Sequence, residues 1–163
     1  MALLVLTTFA IGLLSLSNTP NTDAKFIPLG VHMALGIAIL LLVIVRFALR
    51  LLVFKPSRRL PSAKKQIFLD QLTPYVHILL YFGTALMALL GLAIAIPADL
   101  FSIVWGRSGA ALPVNFYIYP ARSLHGTLSL LLLLLIAQHI LVAIFHQFIK
   151  GENYLGRMWF NKN

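Results

Sequence analysis

The feature that most constrains this chain is a long apolar segment, Ser123–Ile149, that contains three histidines. As a helix it would rise about 40 Å, more than the hydrocarbon core of a bilayer, about 30 Å. His125, His139 and His146 are spaced by 14 and 7 residues, so at about 100° per residue they fall on one stripe of the helix. His125 and His139 then lie about 21 Å apart along the axis. Because ionisable side chains inside a membrane usually face the bundle interior and mark a functional site, the stripe predicts two metal centres stacked across a bilayer.

The composition indicates a membrane protein. The 163 residues suffice for one domain, and 60% hydrophobic with only 10% charged residues is not typical of a soluble fold. The net charge of +9 does not indicate nucleic acid as a partner, because the basic residues cluster in the gaps between apolar runs. There is no cysteine, which excludes disulfides, thiolate zinc sites, iron–sulfur clusters and c-type haem attachment. Histidine is the remaining strong ligand for a redox cofactor.

Four apolar runs predict an all-α transmembrane four-helix bundle, a single integral-membrane domain over residues 1–163 with spans at about 1–16, 27–54, 67–96 and 123–149. The first run is a little short of a complete span. It also resembles the apolar region of a signal peptide, but no Lys or Arg precedes it and no A-x-A site follows. We therefore prefer a first transmembrane helix that is truncated at its start, with its cytoplasmic beginning missing or immediately upstream.

The distribution of basic residues predicts the orientation of the bundle. One side carries ten of them and the other three. The ten are Arg46, Arg50, Lys55, Arg58, Arg59, Lys64, Lys65, Lys150, Arg157 and Lys162, and the three are Lys25, Arg107 and Arg122. The positive-inside rule then places the loop Lys55–Lys65 and both termini in the cytoplasm.

Depth in the membrane limits which histidines can meet. His32 lies near the outer end of the second span, at the level of His125, so the two could bind one metal from opposite sides. Gly36, one turn after His32, is either a helix-packing position or room for a flat ring against the backbone. His77 lies about 15 Å in from the cytoplasmic end of the third span. That depth makes His77 the one same-level partner for His139 in the sequence.

Two imidazoles that face each other in a helix bundle are a natural axial pair for haem iron. A six-coordinate iron leaves no open site for oxygen, so the chemistry favoured is electron transfer. Zinc is disfavoured because structural zinc needs four grouped ligands, and a proton relay is disfavoured because neither Asp70 nor Asp99 is central in a span. For His77 and His146 we favour a hydrogen bond across helices, or a propionate or quinone contact, over axial ligation.

Arg122 precedes His125 by three residues. Three roles fit this position: an ordinary interfacial anchor, neutralisation of a haem propionate, or attraction of an anion to the outer face. The sequence alone leaves all three open.

Three stretches resemble the bacterial cytochrome b561 family, which is related to the b-type subunits of nickel–iron hydrogenases. They are VHMALGIAILLLVIVRFALR (Val31–Arg50), HILLYFGTALMALLGL (His77–Leu92) and SLHGTLSLLLLLLIAQH (Ser123–His139). The resemblance implies a four-helix membrane cytochrome with two non-covalent b haems. It assigns His32 and His125 to the outer haem, and His139 to the inner haem together with a histidine at the start of helix one.

The sequence departs from the family at that last position, because it opens at Met1 inside the apolar run. Three explanations are open: the start lies upstream, the protein has one haem, or His77 replaces the missing ligand. The first is preferred, since the first run is also short and lacks cytoplasmic positive charge.

The resemblance implies electron transfer between quinone and a periplasmic or membrane redox partner at the bacterial inner membrane. Some members are similar to superoxide oxidases that reduce ubiquinone. In that role Arg122 would steer superoxide to the outer haem, and His77 and His146 would contact quinone. Two alternatives are an electron-carrying membrane anchor of a hydrogenase or dehydrogenase complex, and a haem-free packing or transport protein. Membrane lipid is expected as a partner, and the oligomeric state is not predicted.

Overall fold

The computed structural model describes residues 1–52 and 67–151, and every regular element within those ranges is helical. The all-α prediction is confirmed. The α-helices of the described ranges are α1 (Ala2–Ala10), α2 (Phe26–Leu52), α3 (Ile67–Ala95) and α4 (Pro120–Ile144). Wider π-helical turns extend α1 over Ile11–Leu16 and α4 over Phe145–Ile149. The connections contain three short turns, Asp23–Lys25, Phe101–Trp105 and Phe116–Ile118.

Three of the helical segments are long and apolar enough to cross a membrane, namely Asp23–Arg50, Pro74–Ala95 and Pro120–Ile149. The first segment, Ala2–Leu16, is apolar but shorter. The fourth helix begins at Pro120, ahead of its predicted start at Ser123, because proline at the first helical position has a suitable φ and needs no amide hydrogen. Pro74 lies within α3, which continues past it.

The residues that carry most of the orientation argument lie outside the described part of the chain. They are the basic loop Lys55–Lys65 and, in the tail, Arg157 and Lys162. The predicted orientation therefore stays a prediction.

The helices pack mainly on their neighbours in the sequence, α1 on α2, α2 on α3 and α3 on α4. Midway along the bundle, Val5 of α1 is buried with Ile39 and Val43 of α2, and Tyr81 of α3 and Ile136 of α4 pack against them. All four helices thus meet in one apolar core.

The connections α1–α2 and α3–α4 are tied together at one end of the bundle. The Asn21 side-chain amide donates hydrogen bonds to the backbone oxygens of Pro113 and Val114, at 2.9 and 3.0 Å. Leu29 and Ala95 belong to a second buried cluster here, together with Leu100 and Leu112 of the α3–α4 connection. This end, with residues 17–25 and 96–119, is the outer end of the bundle in the predicted orientation.

The leucine run in α4 has an exposed face and a packing face. Leu131 and Leu134 are exposed, as suits lipid contact, whereas Leu132 is 3% exposed. A β-carbon built on Gly83 would lie 3.1 Å from Leu132 Cδ1. The missing side chain at Gly83 is therefore what lets α3 and α4 approach closely.

Candidate haem site at the outer end of the bundle

His32 of α2 and His125 of α4 face each other at the outer end, with ring centroids 6.3 Å apart and ring planes at 65°. With a metal–imidazole bond of about 2.0–2.1 Å and about 1.1–1.2 Å from nitrogen to ring centre, two imidazoles on opposite sides of one metal have their ring centres about 6.2–6.6 Å apart. The observed separation thus has the size that a single metal ion between the two rings requires.

The tautomer of His32 leaves one ring nitrogen available for a metal. His32 Nδ1 lies 3.2 Å from the backbone oxygen of Thr8 in α1. A carbonyl oxygen can only accept, so Nδ1 carries the hydrogen and Nε2 keeps its lone pair. A metal-binding histidine typically donates its other N–H to a carbonyl or carboxylate in this way, because the hydrogen bond fixes the ring and raises its basicity.

His125 has a buried ring nitrogen, Nδ1, that makes no hydrogen bond of regular geometry among the described residues, although the backbone of Met87 lies close enough to interact with the ring. A buried polar atom without a partner is costly, above all in a membrane. The cost is avoided when a bound group supplies the missing partner. A metal at this ring, or a hydrogen bond made on loading it, would do so.

Each of the two rings lies against a glycine of a neighbouring helix. A β-carbon on Gly12 would lie 3.4 Å from His32 Cε1, and one on Gly91 would lie 3.5 Å from His125 Cε1. The glycines therefore let α1 and α3 approach the rings closely and restrict their rotation.

A cavity of about 770 Å³ lies between the helices and is lined by His32, His125, Gly36, Gly12 and Gly91. Its volume falls in the range of cofactor sites, about 300–1,000 Å³. Gly36 opens onto free space, since a β-carbon there would meet no atom within 4 Å. Of the two sequence-based interpretations of Gly36, the structure favours room for a flat ring over helix packing.

Two positively charged residues, Lys25 and Arg122, line the mouth of this cavity, which is its end nearest the outer connections. Arg122 lines it, with its guanidinium carbon 5.2 Å from the centre of the Tyr117 ring. A β-carbon on Gly126 would lie 3.1 Å from Arg122 Nη1, so the arginine runs closely along α4. Lys25 lines the same cavity and is only 8% exposed.

Sequence reasoning missed a role for Lys25 and the contact to Thr8. Lys25 precedes His32 by seven residues, which is two helical turns, and that spacing is a signal that could have found it. The Thr8 contact depends on how α1 and α2 are aligned, and no sequence pattern reports that alignment.

The structure also brings together the two histidines that the sequence places at the second, deeper level of the membrane. His77 of α3 and His139 of α4 have ring centroids 5.2 Å apart and planes at 73°. That separation is about 1 Å shorter than two trans ligands of one metal need. As they stand, the two rings touch edge to face and leave no space between them for an ion.

His146 lies apart from both pairs. It is buried in the π-helical turn after α4, with its ring centroid 5.9 Å from that of Phe145. The hydrogen bond from Lys150 N to Phe145 O shows the wider winding of this turn. The π-helical turn therefore begins at Phe145, one residue before His146.

Comparison with known proteins agrees with this geometry. Neither a curated protein nor a solved structure matches the chain significantly. A family model described as prokaryotic cytochrome b561 matches residues 1–161, nearly the whole chain. That family supports a membrane b-type haem electron-transfer protein, and the outer cavity fits such a haem in size and ligands. The chain belongs to the prokaryotic cytochrome b561 family.

Proposed function

We propose that the protein transfers electrons between a donor at the outer end of the bundle and quinone in the membrane, with superoxide as the donor. The observation that carries the proposal is the pair His32 and His125. Their ring centroids are 6.3 Å apart, in a cavity that Arg122 also lines. In this proposal His32 and His125 would hold a b haem between them. When bound, that group supplies a one-electron redox centre.

The residues around the pair perform separate tasks. Thr8 orients His32 through its backbone oxygen, and Gly36 leaves the space against which a flat ring can lie. Leu29 and Leu132, both buried, line the same cavity and keep water away from its apolar part. Exclusion of water and two neutral imidazole ligands favour electron transfer over oxygen binding.

The reaction balances with two superoxide ions for each quinone. Each superoxide loses one electron and becomes dioxygen, and the quinone takes up two electrons and two protons to become the quinol. Superoxide is an anion, so positive charge at the cavity mouth raises its local concentration and its rate of encounter. Arg122 is placed for this role, while Tyr117 beside it holds the guanidinium at the mouth.

The second level is proposed as the quinone side of the protein. The ring centroids of His77 and His139 are 5.2 Å apart, which favours a polar pair over two residues that would hold one haem between them. An imidazole there can donate a hydrogen bond to a quinone oxygen or deliver a proton to it. His146 is the further candidate, nearer to the cytoplasm in the predicted orientation.

A charge reversal tests the steering step. We expect Arg122→Glu to slow superoxide-dependent quinone reduction, per bound haem, by about tenfold at low ionic strength, and by less at high salt because ions screen the field. Arg107→Glu is the matched control: it makes the same change at the outer end, on a residue that lines a separate groove. Equal effects of the two variants, or an effect that salt does not change, would remove Arg122 from the proposal.

A further inference from the structure

Lys25 is buried to an extent that a lysine seldom reaches without an anionic partner. It is 8% exposed and lies just before α2, in the turn Asp23–Lys25. The hydrogen bond of its ammonium group is partly buried, and a charge withdrawn from water is costly unless it is paired and hydrogen-bonded. The described residues offer it one acceptor, the side-chain oxygen of Asn21, at 2.7 Å from Lys25 Nζ. An ammonium has three N–H donors, so this neutral contact leaves both charge and donors to be satisfied.

The position of Lys25 is fixed by the same contacts that join the two outer connections. Asn21 accepts from Lys25 and donates to the backbone oxygens of Pro113 and Val114. Lys25 is thus held from both connections, and it lines the cavity of His32 and His125. A lysine whose only role was to anchor the helix at the interface would not need to be held beside this cavity.

The cavity mouth carries two positive charges and lacks a negative one. Lys25 and Arg122 both line the cavity, and none of its lining residues in the described ranges is acidic. Each cation lies a few residues before a histidine of the pair, Lys25 before His32 and Arg122 before His125. Two cations beside one cavity repel each other unless an anion lies between or beside them.

We propose that Lys25 acts with Arg122 to bind the two propionate carboxylates of the haem held by His32 and His125, an inference that rests on the proposed function. A haem b carries two carboxylates on one edge, which matches two cations at one mouth. A resident anion compensates the buried charge permanently. A superoxide ion that only visits the site would leave Lys25 unpaired most of the time. Lys25 is therefore a cofactor-positioning residue, and Arg122 serves both the carboxylates and the approaching anion.

The test compares natural haem with its dimethyl ester, in which both carboxylates are blocked. The full chain is loaded with either cofactor, and the rate of cofactor transfer to excess apomyoglobin is measured from the absorbance spectrum. We expect Lys25→Gln to speed the loss of natural haem by about tenfold, the size of a lost charge-assisted hydrogen bond. It should leave the rate for the ester close to that of the unchanged chain.

Three further variants separate charge from structure. Lys25→Arg should restore most of the retention, because it keeps the charge and the donors. Asn21→Ala should have a smaller effect in the same direction, since it frees Lys25 without removing the charge. Arg107→Gln removes a charge from the same end but outside this cavity, and should change neither rate.

Two results would overturn the inference. If Lys25→Gln accelerated the loss of haem and of its dimethyl ester equally, Lys25 would have only a structural role. If Lys25→Gln accelerated the loss of neither cofactor, the carboxylates would bind elsewhere. If that variant then also lost the salt dependence of its reaction with superoxide, Lys25 would act on superoxide and not on the haem carboxylates. An unchanged chain that binds no haem would instead contradict the proposed function as a whole.

Discussion

The ring of His32 in α2 is oriented by a residue of another helix, Thr8 of α1. Its hydrogen bond to Thr8 oxygen fixes both the tautomer and the orientation of the ring. The ring of His125 has a buried nitrogen, Nδ1, that makes no hydrogen bond of regular geometry among the described residues. The ring of His32 is therefore oriented before the site is filled, and the ring of His125 can gain an interaction when a group binds there.

At the scale of residues, Gly36 gives a direct test of where the ring lies. We expect Gly36→Leu to reduce the haem bound per chain by half or more, because the new side chain would enter open cavity space. The substitution also raises helix propensity by up to about 1 kcal/mol, so weakening of α2 would not explain the loss. Haem is measured by acid extraction, and helix content by circular dichroism.

Ala137→Leu is the matched control for this variant. Ala137 is exposed on α4 and does not line the cavity, so the same bulk should leave haem binding unchanged. If Gly36→Leu bound as much haem as the unchanged chain, the ring would not lie against Gly36.

At the scale of elements, hydrophobic length predicted the helices and histidine depth predicted the pairs. The meeting of His32 with His125, and of His77 with His139, required only helical rise and chain direction. The π-helical turns at Ile11–Leu16 and Phe145–Ile149 were not predictable in this way. They depend on local packing, and one of them contains His146.

The contact between α3 and α4 is tested at Gly83. We expect Gly83→Leu to destabilise the bundle by about 1–3 kcal/mol, as overpacking of a close contact does. Leu132→Ala in the same chain should recover part of that loss, because it removes the side chain that lies 3.1 Å from the added β-carbon. Unfolding is followed by circular dichroism in detergent. Strictly additive effects of the two substitutions would show that the residues do not touch.

At the scale of the whole molecule, the orientation can be tested cleanly because the chain has no cysteine. We expect Ser108→Cys, in the α3–α4 connection, to react with a membrane-impermeant maleimide on intact spheroplasts. Ser62→Cys, in the predicted cytoplasmic loop, should react only after lysis. The reverse labelling pattern would show that the bundle has the opposite orientation, with the cavity of His32 and His125 toward the cytoplasm.

The whole site could be predicted only in part from the sequence. Residue type and depth predicted His32, His125 and Gly36 as site residues, and the structure places all three at one cavity. The role of Lys25 required knowledge of burial, and the 5.2 Å contact of His77 with His139 required knowledge of how far apart α3 and α4 pack. Distances of this kind are set by pairs such as Gly83 with Leu132, which a single sequence does not reveal.

The most direct test of the central claim is the haem content of the purified chain and of three histidine variants, each expressed with ample haem. We expect a non-covalent b haem in the unchanged chain. We expect His32→Ala and His125→Ala each to lose the same haem, recognised by its reduced-minus-oxidised spectrum, and His77→Ala to keep it. Absence of haem from the unchanged chain, or an unchanged haem spectrum in both His32→Ala and His125→Ala, would show that these two histidines do not hold a haem.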